Sequence, residues 1–223
     1  MRVSSERAEL GYTGSVSRSP NLTAEAALVR LKEGNQRYTQ NTRSVDSLVS
    51  HSRRDLSVQA PFAIVLGCSD SRAPAEMVFD QGLGDLFVIR VAGNIVAPSQ
   101  IGSVEFAAER FGTRLVVVMG HTQCGAIDAA IEAVTSVQGP MSRNISSIVD
   151  RLRPSVEALV DTDVAKDPER LRREAMRANV RASVNHLRHG SGVIEALAEK
   201  DGLAVVGAEL DLTSGSVSFF EKL

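Results

Sequence analysis

The chain has 223 residues and a formal net charge of -2, which suits one α/β domain with a buried core and gives no support for a nucleic-acid partner. Two cysteines are too few for a secreted disulfide scaffold, the N-terminus lacks the apolar core of a signal peptide, and no apolar run approaches the roughly 18 residues of a membrane span. We therefore expect a cytoplasmic protein without a membrane partner, whose two cysteines are free to bind a metal.

The N-terminal part of the chain is expected to contain an arm and one amphipathic helix. Residues 1–21 are rich in serine, glycine and charge, which predicts a flexible arm before a single domain over 22–223. A helix is predicted at about 23–40, with Thr23 as its cap. Its apolar residues recur at helical spacing and are Ala24, Ala27, Leu28, Leu31 and Tyr38. One domain is not expected to cover this face, which favours a dimer or a larger even assembly.

Short apolar runs then alternate with helical stretches. Runs without polar alternation are typical of strands covered on both faces, and they occur at 62–66, 86–91, 115–119 and 203–206. Helical stretches are predicted at about 99–111, 124–136, 143–160, 168–188 and 192–199. This alternation predicts one α/β domain with a mainly parallel central sheet flanked by helices. A last edge strand is expected at 216–220.

Arginines cluster on the helix predicted at 168–188 and alternate there with Glu169 and Glu174. We interpret this stretch as a solvated helix face with ion pairs at i,i+4 spacing, and not as a nucleic-acid surface. The arginines concerned are Arg170, Arg172, Arg173, Arg177 and Arg181.

Two segments that carry candidate metal ligands each follow a predicted strand. GCSDSR at 67–72 follows the first strand, and GHTQCG at 120–125 follows the third. In an open parallel sheet, ligands bind at the carboxyl ends of the strands, so these two distant segments can converge in space.

Both cysteines of the chain lie in these segments, with Cys68 two residues before Asp70 and Cys124 three residues after His121. Zinc favours thiolate and imidazole ligands, and a Cys2His set leaves the fourth position that a catalytic zinc requires. Metal binding is therefore the favoured interpretation. A redox cysteine pair is disfavoured because no Cys-x-x-Cys spacing occurs. A cysteine hydrolase with Cys68 as nucleophile would leave Cys124 without a role.

At these residues the sequence resembles the β-class carbonic anhydrases. CSDSR at 68–72 and HTQCG at 121–125 match the family's Cys-x-Asp-x-Arg and His-x-x-Cys motifs, and the similarity runs from about 23 to 220. The resemblance implies reversible hydration of carbon dioxide to bicarbonate and a proton, by hydroxide on one zinc ion per chain. The implied zinc ligands are Cys68, His121 and Cys124. A hydrolase of carbon disulfide or carbonyl sulfide on the same scaffold is the alternative.

The resemblance also implies roles for residues beside the metal. Asp70 and Arg72 are expected to form a catalytic pair, in which Asp70 accepts a hydrogen bond from the hydroxide. Asp70 is also a possible fourth metal ligand, in a closed form of the site that frees Arg72. Gly125 can offer its backbone N–H to bicarbonate at the start of a helix. A non-enzymatic zinc protein is disfavoured because both residues of the pair are present.

The substrate pocket and the assembly are implied by the same resemblance. Gln59 and Phe87 fall where many plant-type members line the carbon dioxide pocket, with Gln59 donated across a dimer interface. Ala92 stands where valine is common, and Phe106 stands where that subgroup has a tyrosine, so a hydroxyl is missing. Members have four parallel strands with an added antiparallel strand, and their N-terminal helices wrap the neighbouring subunit. A homodimer or a dimer-based tetramer is therefore expected.

Overall fold

Five strands form one sheet in the computed structural model, which describes residues 22–42, 59–136 and 141–220. The strand order is β2-β1-β3-β4-β5. The strands are β1 (Ala63–Gly67), β2 (Leu86–Arg90), β3 (Leu115–His121), β4 (Ala204–Leu210) and β5 (Val217–Phe219). The first four are parallel and β5 is antiparallel to β4, which confirms the predicted sheet. The arm predicted at 1–21 lies outside the described residues, as do residues 43–58.

Helices cover both faces of this sheet. They are α1 (Ala24–Thr39), α2 (Ala75–Val78), α3 (Pro98–Arg110), α4 (Gly125–Thr135), α5 (Arg143–Val160), α6 (Pro168–His189) and α7 (Gly192–Asp201), with 3-10 turns at Ala92–Asn94 and Asp163–Lys166. The long helices start and end within two residues of the predicted bounds. The four-residue α2 was not predicted, because one turn is too short to show a helical period. Within the described ranges, no helix is long and apolar enough to cross a bilayer.

The central strands are mostly apolar because the sheet has a hydrophobic cluster on each side. Every residue of β1 is buried. Successive side chains point to opposite faces, so Ile64 and Leu66 join one cluster while Ala63 and Val65 join the other. A strand with two buried faces cannot show polar alternation, which explains the apolar runs in the sequence.

The first helix, α1, packs on its own domain. The hydroxyl of Thr23 caps it by accepting from the amide of Ala26 at 3.3 Å. Its apolar residues Ala24, Ala27, Leu28 and Leu31 are buried in the second cluster. The helix lies so close to the chain after α2 that a Cβ added at Gly34 would overlap the carbonyl oxygen of Phe79. The prediction that one domain would not cover this face is therefore wrong, and α1 supplies no argument for a dimer.

The arginines of α6 are partly anchored in the fold. Arg173 and Arg177 donate to the carboxylate of Glu209 on β4 at 2.8 and 2.7 Å, and the Glu209 side chain is only 2% exposed. Arg172 pairs with Asp128 of α4 at 2.8 Å. Ion pairs within the helix also form, at a spacing of three residues and not four. The interpretation as a solvated face is therefore incomplete, because a buried carboxylate requires these counter-charges.

The topology brings the two candidate segments to one edge of the sheet. β1 and β3 are adjacent and parallel, with Gly67 opposite Met119, so Cys68 leaves β1 beside the end of β3. This is also the point where the strand order reverses, and such switch points form crevices at the carboxyl edge. β3 is two residues longer than predicted and includes His121, because β4 continues to pair with it as far as Leu210.

Candidate metal centre

Three side chains from the two segments converge on one point. The ligand atoms of Cys68, His121 and Cys124 all lie within 4.8 Å of one another, and the side chains are buried. The two sulfur atoms are 4.0 Å apart. Two thiolates bound about 2.3 Å from a tetrahedral zinc lie roughly 3.8 Å apart, so the observed spacing suits such an ion. The described residues contain no other cluster of this kind.

The imidazole of His121 is oriented for metal binding. Its Nδ1 lies 2.8 Å from the carbonyl oxygen of Thr122. A carbonyl oxygen can only accept, so Nδ1 carries the proton and Nε2 presents its lone pair. This Nε2 is buried and has no hydrogen-bond partner within the part of the chain that the structure describes. Buried polar atoms without partners are rare, and coordination to a metal would satisfy this one. The donor set therefore fits a zinc ion.

Thr122, which the sequence analysis did not single out, is itself held in place. Its amide donates to the carbonyl of Leu210 at 3.0 Å. Its hydroxyl oxygen accepts from the amide of Leu212, also at 3.0 Å. The end of β4 and the chain after it therefore fix the peptide that orients His121.

Hydrogen bonds from Arg90, the last residue of β2, hold the loop that carries Cys68. The guanidinium of Arg90 donates to the carbonyl of Cys68 at 3.0 Å and to that of Asp70 at 2.6 Å. The amide of Gly93 donates to the sulfur of Cys68 at 3.3 Å. Sequence reasoning missed both roles. A glycine two residues after the predicted strand at 86–91 was a possible signal for Gly93, whose φ of 68° favours glycine.

Asp70 and Arg72 form a bidentate pair beside the three candidate ligands. Arg72 Nε and Nη2 donate to the two carboxylate oxygens at 3.0 and 2.8 Å, and its backbone amide adds a third bond at 2.9 Å. These bonds hold the pKa of Asp70 well below its usual range. The nearer oxygen is 3.9 Å from His121 Nε2. Arg72 also donates to the carbonyl of Gln123 at 3.2 Å and so links the two loops.

The structure therefore shows Asp70 paired with Arg72. The closed form, in which the Asp70 carboxylate takes the fourth metal position, is not the arrangement seen here and stays a prediction.

The two thiols perturb each other's acidity. The hydrogen bond with Cys124 lowers the pKa of Cys68 to about 4 although burial opposes this, and backbone amides at Asp70 and Gly93 assist. The same contact, together with burial, raises the pKa of Cys124. Burial alone would lower the pKa of His121, but the neighbouring Cys68 sulfur and the hydrogen bond with the Thr122 carbonyl raise it overall. A thiolate is the form of cysteine that binds metal ions.

The structure brings two of the predicted pocket residues together. Phe87 of β2 and Phe106 of α3 have ring centroids 6.2 Å apart, and Phe111 completes the aromatic cluster at 6.1 and 5.7 Å from them. Phe106 is nevertheless 53% exposed. Ala92 lies in the turn beside Gly93, and Gly125 is the first residue of α4.

Gln59 lies at the opposite edge of the sheet from the three candidate ligands. It is exposed and precedes β1, where the hydroxyl of Thr113 donates to the carbonyl of Pro61 at 2.7 Å. Cys68 follows the other end of β1, and a five-residue strand is about 17 Å long. Within one chain, Gln59 and Cys68 therefore do not meet.

A cleft of about 500 Å³ lies against the second candidate segment, between α4 and α6. It is lined by His121 and Cys124 on one side and by the charged residues of α6 on the other. Neither Asp70 nor the predicted pocket residues line it, so this cleft is distinct from the predicted carbon dioxide pocket.

Residues 63–217 match the family model described as "Carbonic anhydrase", which is more than half of the chain. The chain belongs to the carbonic anhydrase family. A carbonic anhydrase of Pseudomonas aeruginosa is 34% identical over 165 residues, 71% of this chain and 73% of that relative. Carbonic anhydrase 2 of Mycobacterium tuberculosis is 41% identical over 138 residues, 61% of this chain and 66% of the relative.

The fold also agrees with solved carbonic anhydrase structures. A tetrameric β-carbonic anhydrase from Sordaria macrospora superimposes with a TM-score of 0.68 at 23% identity, over 84% of this chain and 93% of that one. The β class that the two motifs predict is confirmed.

Proposed function

We propose that this protein catalyses the reversible hydration of carbon dioxide to bicarbonate and a proton, with one zinc ion per chain. The observation that carries the proposal is the buried cluster of Cys68, His121 and Cys124 with Asp70 and Arg72 beside it. Membership of the carbonic anhydrase family supports it. These three side chains would hold the zinc as Cys2His ligands.

The bound zinc would supply Lewis acidity, which can lower the pKa of a water molecule from 15.7 to about 7. Asp70 is placed to accept a hydrogen bond from a water in the site and to turn its oxygen lone pair toward the substrate. Because Arg72 depresses its pKa, Asp70 stays ionised at neutral pH and acts as an acceptor and not as a proton carrier.

Two further features suit the substrate and the product. Carbon dioxide is apolar. The side chains of Phe87 on β2, Phe106 on α3 and Ala92 in the turn between them offer apolar surface. Bicarbonate is an anion, and Gly125 begins a helix whose N-terminal amides attract anions. Gly125 is exposed, so its backbone is accessible to a ligand.

We further infer a homodimer or a dimer-based tetramer. Gln59 lies about one strand length from its own Cys68, so it can complete a pocket only in another copy. Among the described residues β2 is an edge strand, and the aromatic cluster beside it leaves Phe106 half exposed. Covering that surface with a second copy would remove an unpaired edge and apolar area from water.

We expect sedimentation equilibrium at micromolar concentration to give an even assembly. Phe106→Arg should weaken this assembly, because it places a charge in the proposed interface. Exchanging the exposed Ile145 of α5 for arginine serves as a control and should leave the mass unchanged. A monomer for the unmodified protein would contradict the proposal.

We also infer that the protein works in a reducing compartment such as the cytosol. Cys68 and Cys124 are free thiols, and a disulfide between them would remove two of the three proposed ligands.

A hydration assay tests the proposed activity. The zinc-loaded protein should accelerate proton release from carbon dioxide in stopped-flow measurements, and an active-site inhibitor should abolish the effect. Carbon disulfide and carbonyl sulfide should be tried in parallel, although neither the comparisons nor the described residues favour them. Hydrolysis of either compound without any hydration of carbon dioxide would overturn the proposal.

A further inference from the structure

The turn after β2 donates a hydrogen bond to a proposed metal ligand. The amide of Gly93 lies 3.3 Å from the sulfur of Cys68. A donor to a ligating sulfur tunes its charge and fixes its direction. Gly93 has φ 68°, and Asn94 after it has φ 43°. A glycine adopts this conformation readily, whereas a non-glycine residue such as Asn94 keeps it only where the surrounding structure holds the turn.

Helix α6 supplies this support from the far side of the turn. The side-chain amide of Asn179 donates to the carbonyl of Gly93 at 2.8 Å. One helical turn later, the hydroxyl of Ser183 donates to the carbonyl of Asn94 at 3.3 Å. Both side chains are buried, with 2% and 4% exposure. The helix therefore holds two successive carbonyls of the turn.

Asn179 is a polar residue on a face of α6 that is otherwise mostly apolar. Buried neighbours on this face are Leu171, Ala175, Met176, Val180, Val184 and Leu187. Burying an amide is unfavourable unless it forms hydrogen bonds, so an apolar side chain would be expected here if packing alone mattered. The bond to Gly93, 86 positions away, gives the amide a specific partner.

We propose that Asn179 is a positioning residue for the metal ligand Cys68. By holding the carbonyl of Gly93, Asn179 keeps the backbone N–H of Gly93 directed at the sulfur of Cys68. The role acts through Gly93, without contact to metal or substrate, and it rests on the proposed zinc centre. Ser183 offers a matched comparison, because the amide of Asn94 donates to the carbonyl of Val91 and not to the sulfur.

The test compares Asn179→Leu and Asn179→Ala with Ser183→Ala. Leucine has nearly the shape of asparagine, which preserves packing, and urea unfolding verifies that each variant folds. Zinc affinity is measured by competition with a chromophoric chelator, and the sulfur-to-metal charge-transfer band is recorded for the cobalt-substituted proteins. Both Asn179 variants should bind zinc about 10- to 100-fold more weakly and shift the band. Ser183→Ala should keep the affinity and the band of the unmodified protein.

Two results would overturn the inference. Asn179→Leu could retain the zinc affinity and the cobalt spectrum, or Ser183→Ala could change both as much as the Asn179 variants do. Either result would leave Asn179 as a structural residue only, while the proposed zinc centre would stand. Failure of the unmodified protein to bind zinc or cobalt would instead overturn the proposed function, and this inference with it.

Discussion

Replacing Cys124 by serine is expected to remove most of the bound zinc and nearly all carbon dioxide hydration. The change deletes one of three ligands, and Cys68 and His121 alone cannot form the Cys2His set of a catalytic zinc. Elemental analysis after gel filtration measures the loss. In the unmodified protein, zinc at 100 times its Kd should raise the free energy of unfolding by about 2.7 kcal/mol, and this shift should vanish in the variant.

The control for Cys124→Ser is the unmodified protein after treatment with a chelator. Serine is only slightly smaller than cysteine, so the two metal-free proteins should unfold at similar urea concentrations. That agreement would assign the effect to the missing ligand and not to the fold. Full retention of zinc by the variant would exclude Cys124 from the metal site.

Asp70→Asn is expected to keep the zinc and lose activity. The carboxylate is paired with Arg72 and is not among the three converging ligands. Asparagine has the same shape, but its amide nitrogen donates where a carboxylate oxygen accepts. We expect kcat for hydration to fall about 100-fold or more, the usual effect of losing a positioned catalytic group. Stopped-flow kinetics and zinc analysis of the same sample give both readouts.

The control for Asp70→Asn is Asp128→Asn. Asp128 also pairs with an arginine, Arg172, at 2.8 Å, but among the described residues its carboxylate forms no ion pair or hydrogen bond with the three candidate ligands. This exchange should leave kcat and zinc content almost unchanged. Loss of zinc in Asp70→Asn would show that Asp70 ligates the metal. Unchanged kcat in that variant would remove it from the mechanism.

The strands and long helices were predictable because their side chains repeat in simple patterns. β1 and β3 lie between two apolar clusters, so their apolar runs were clear in the sequence. The end of β3 was not predictable, because only its pairing with β4 extends it to His121. The packing of α1 against its own domain was also not predicted. A helical period shows which face of a helix is apolar, but not which surface that face contacts.

The three candidate ligands were found because both cysteines of the chain stand beside other ligand types at strand ends. The residues that orient these three side chains form no pattern that can be recognised in the sequence. Arg90 acts through backbone carbonyls, and Asn179 acts through Gly93, 86 positions away. Such partners become visible only when the fold has brought the segments together.

Zinc titration of the metal-free protein, followed by initial rates of carbon dioxide hydration, tests the central claim most directly. The chelated protein should be no faster than buffer. Activity should then rise in proportion to added zinc and reach its plateau at one equivalent per chain, because Cys68, His121 and Cys124 form one site. Full activity before any zinc is added, or a zinc-saturated protein no faster than buffer, would contradict the account.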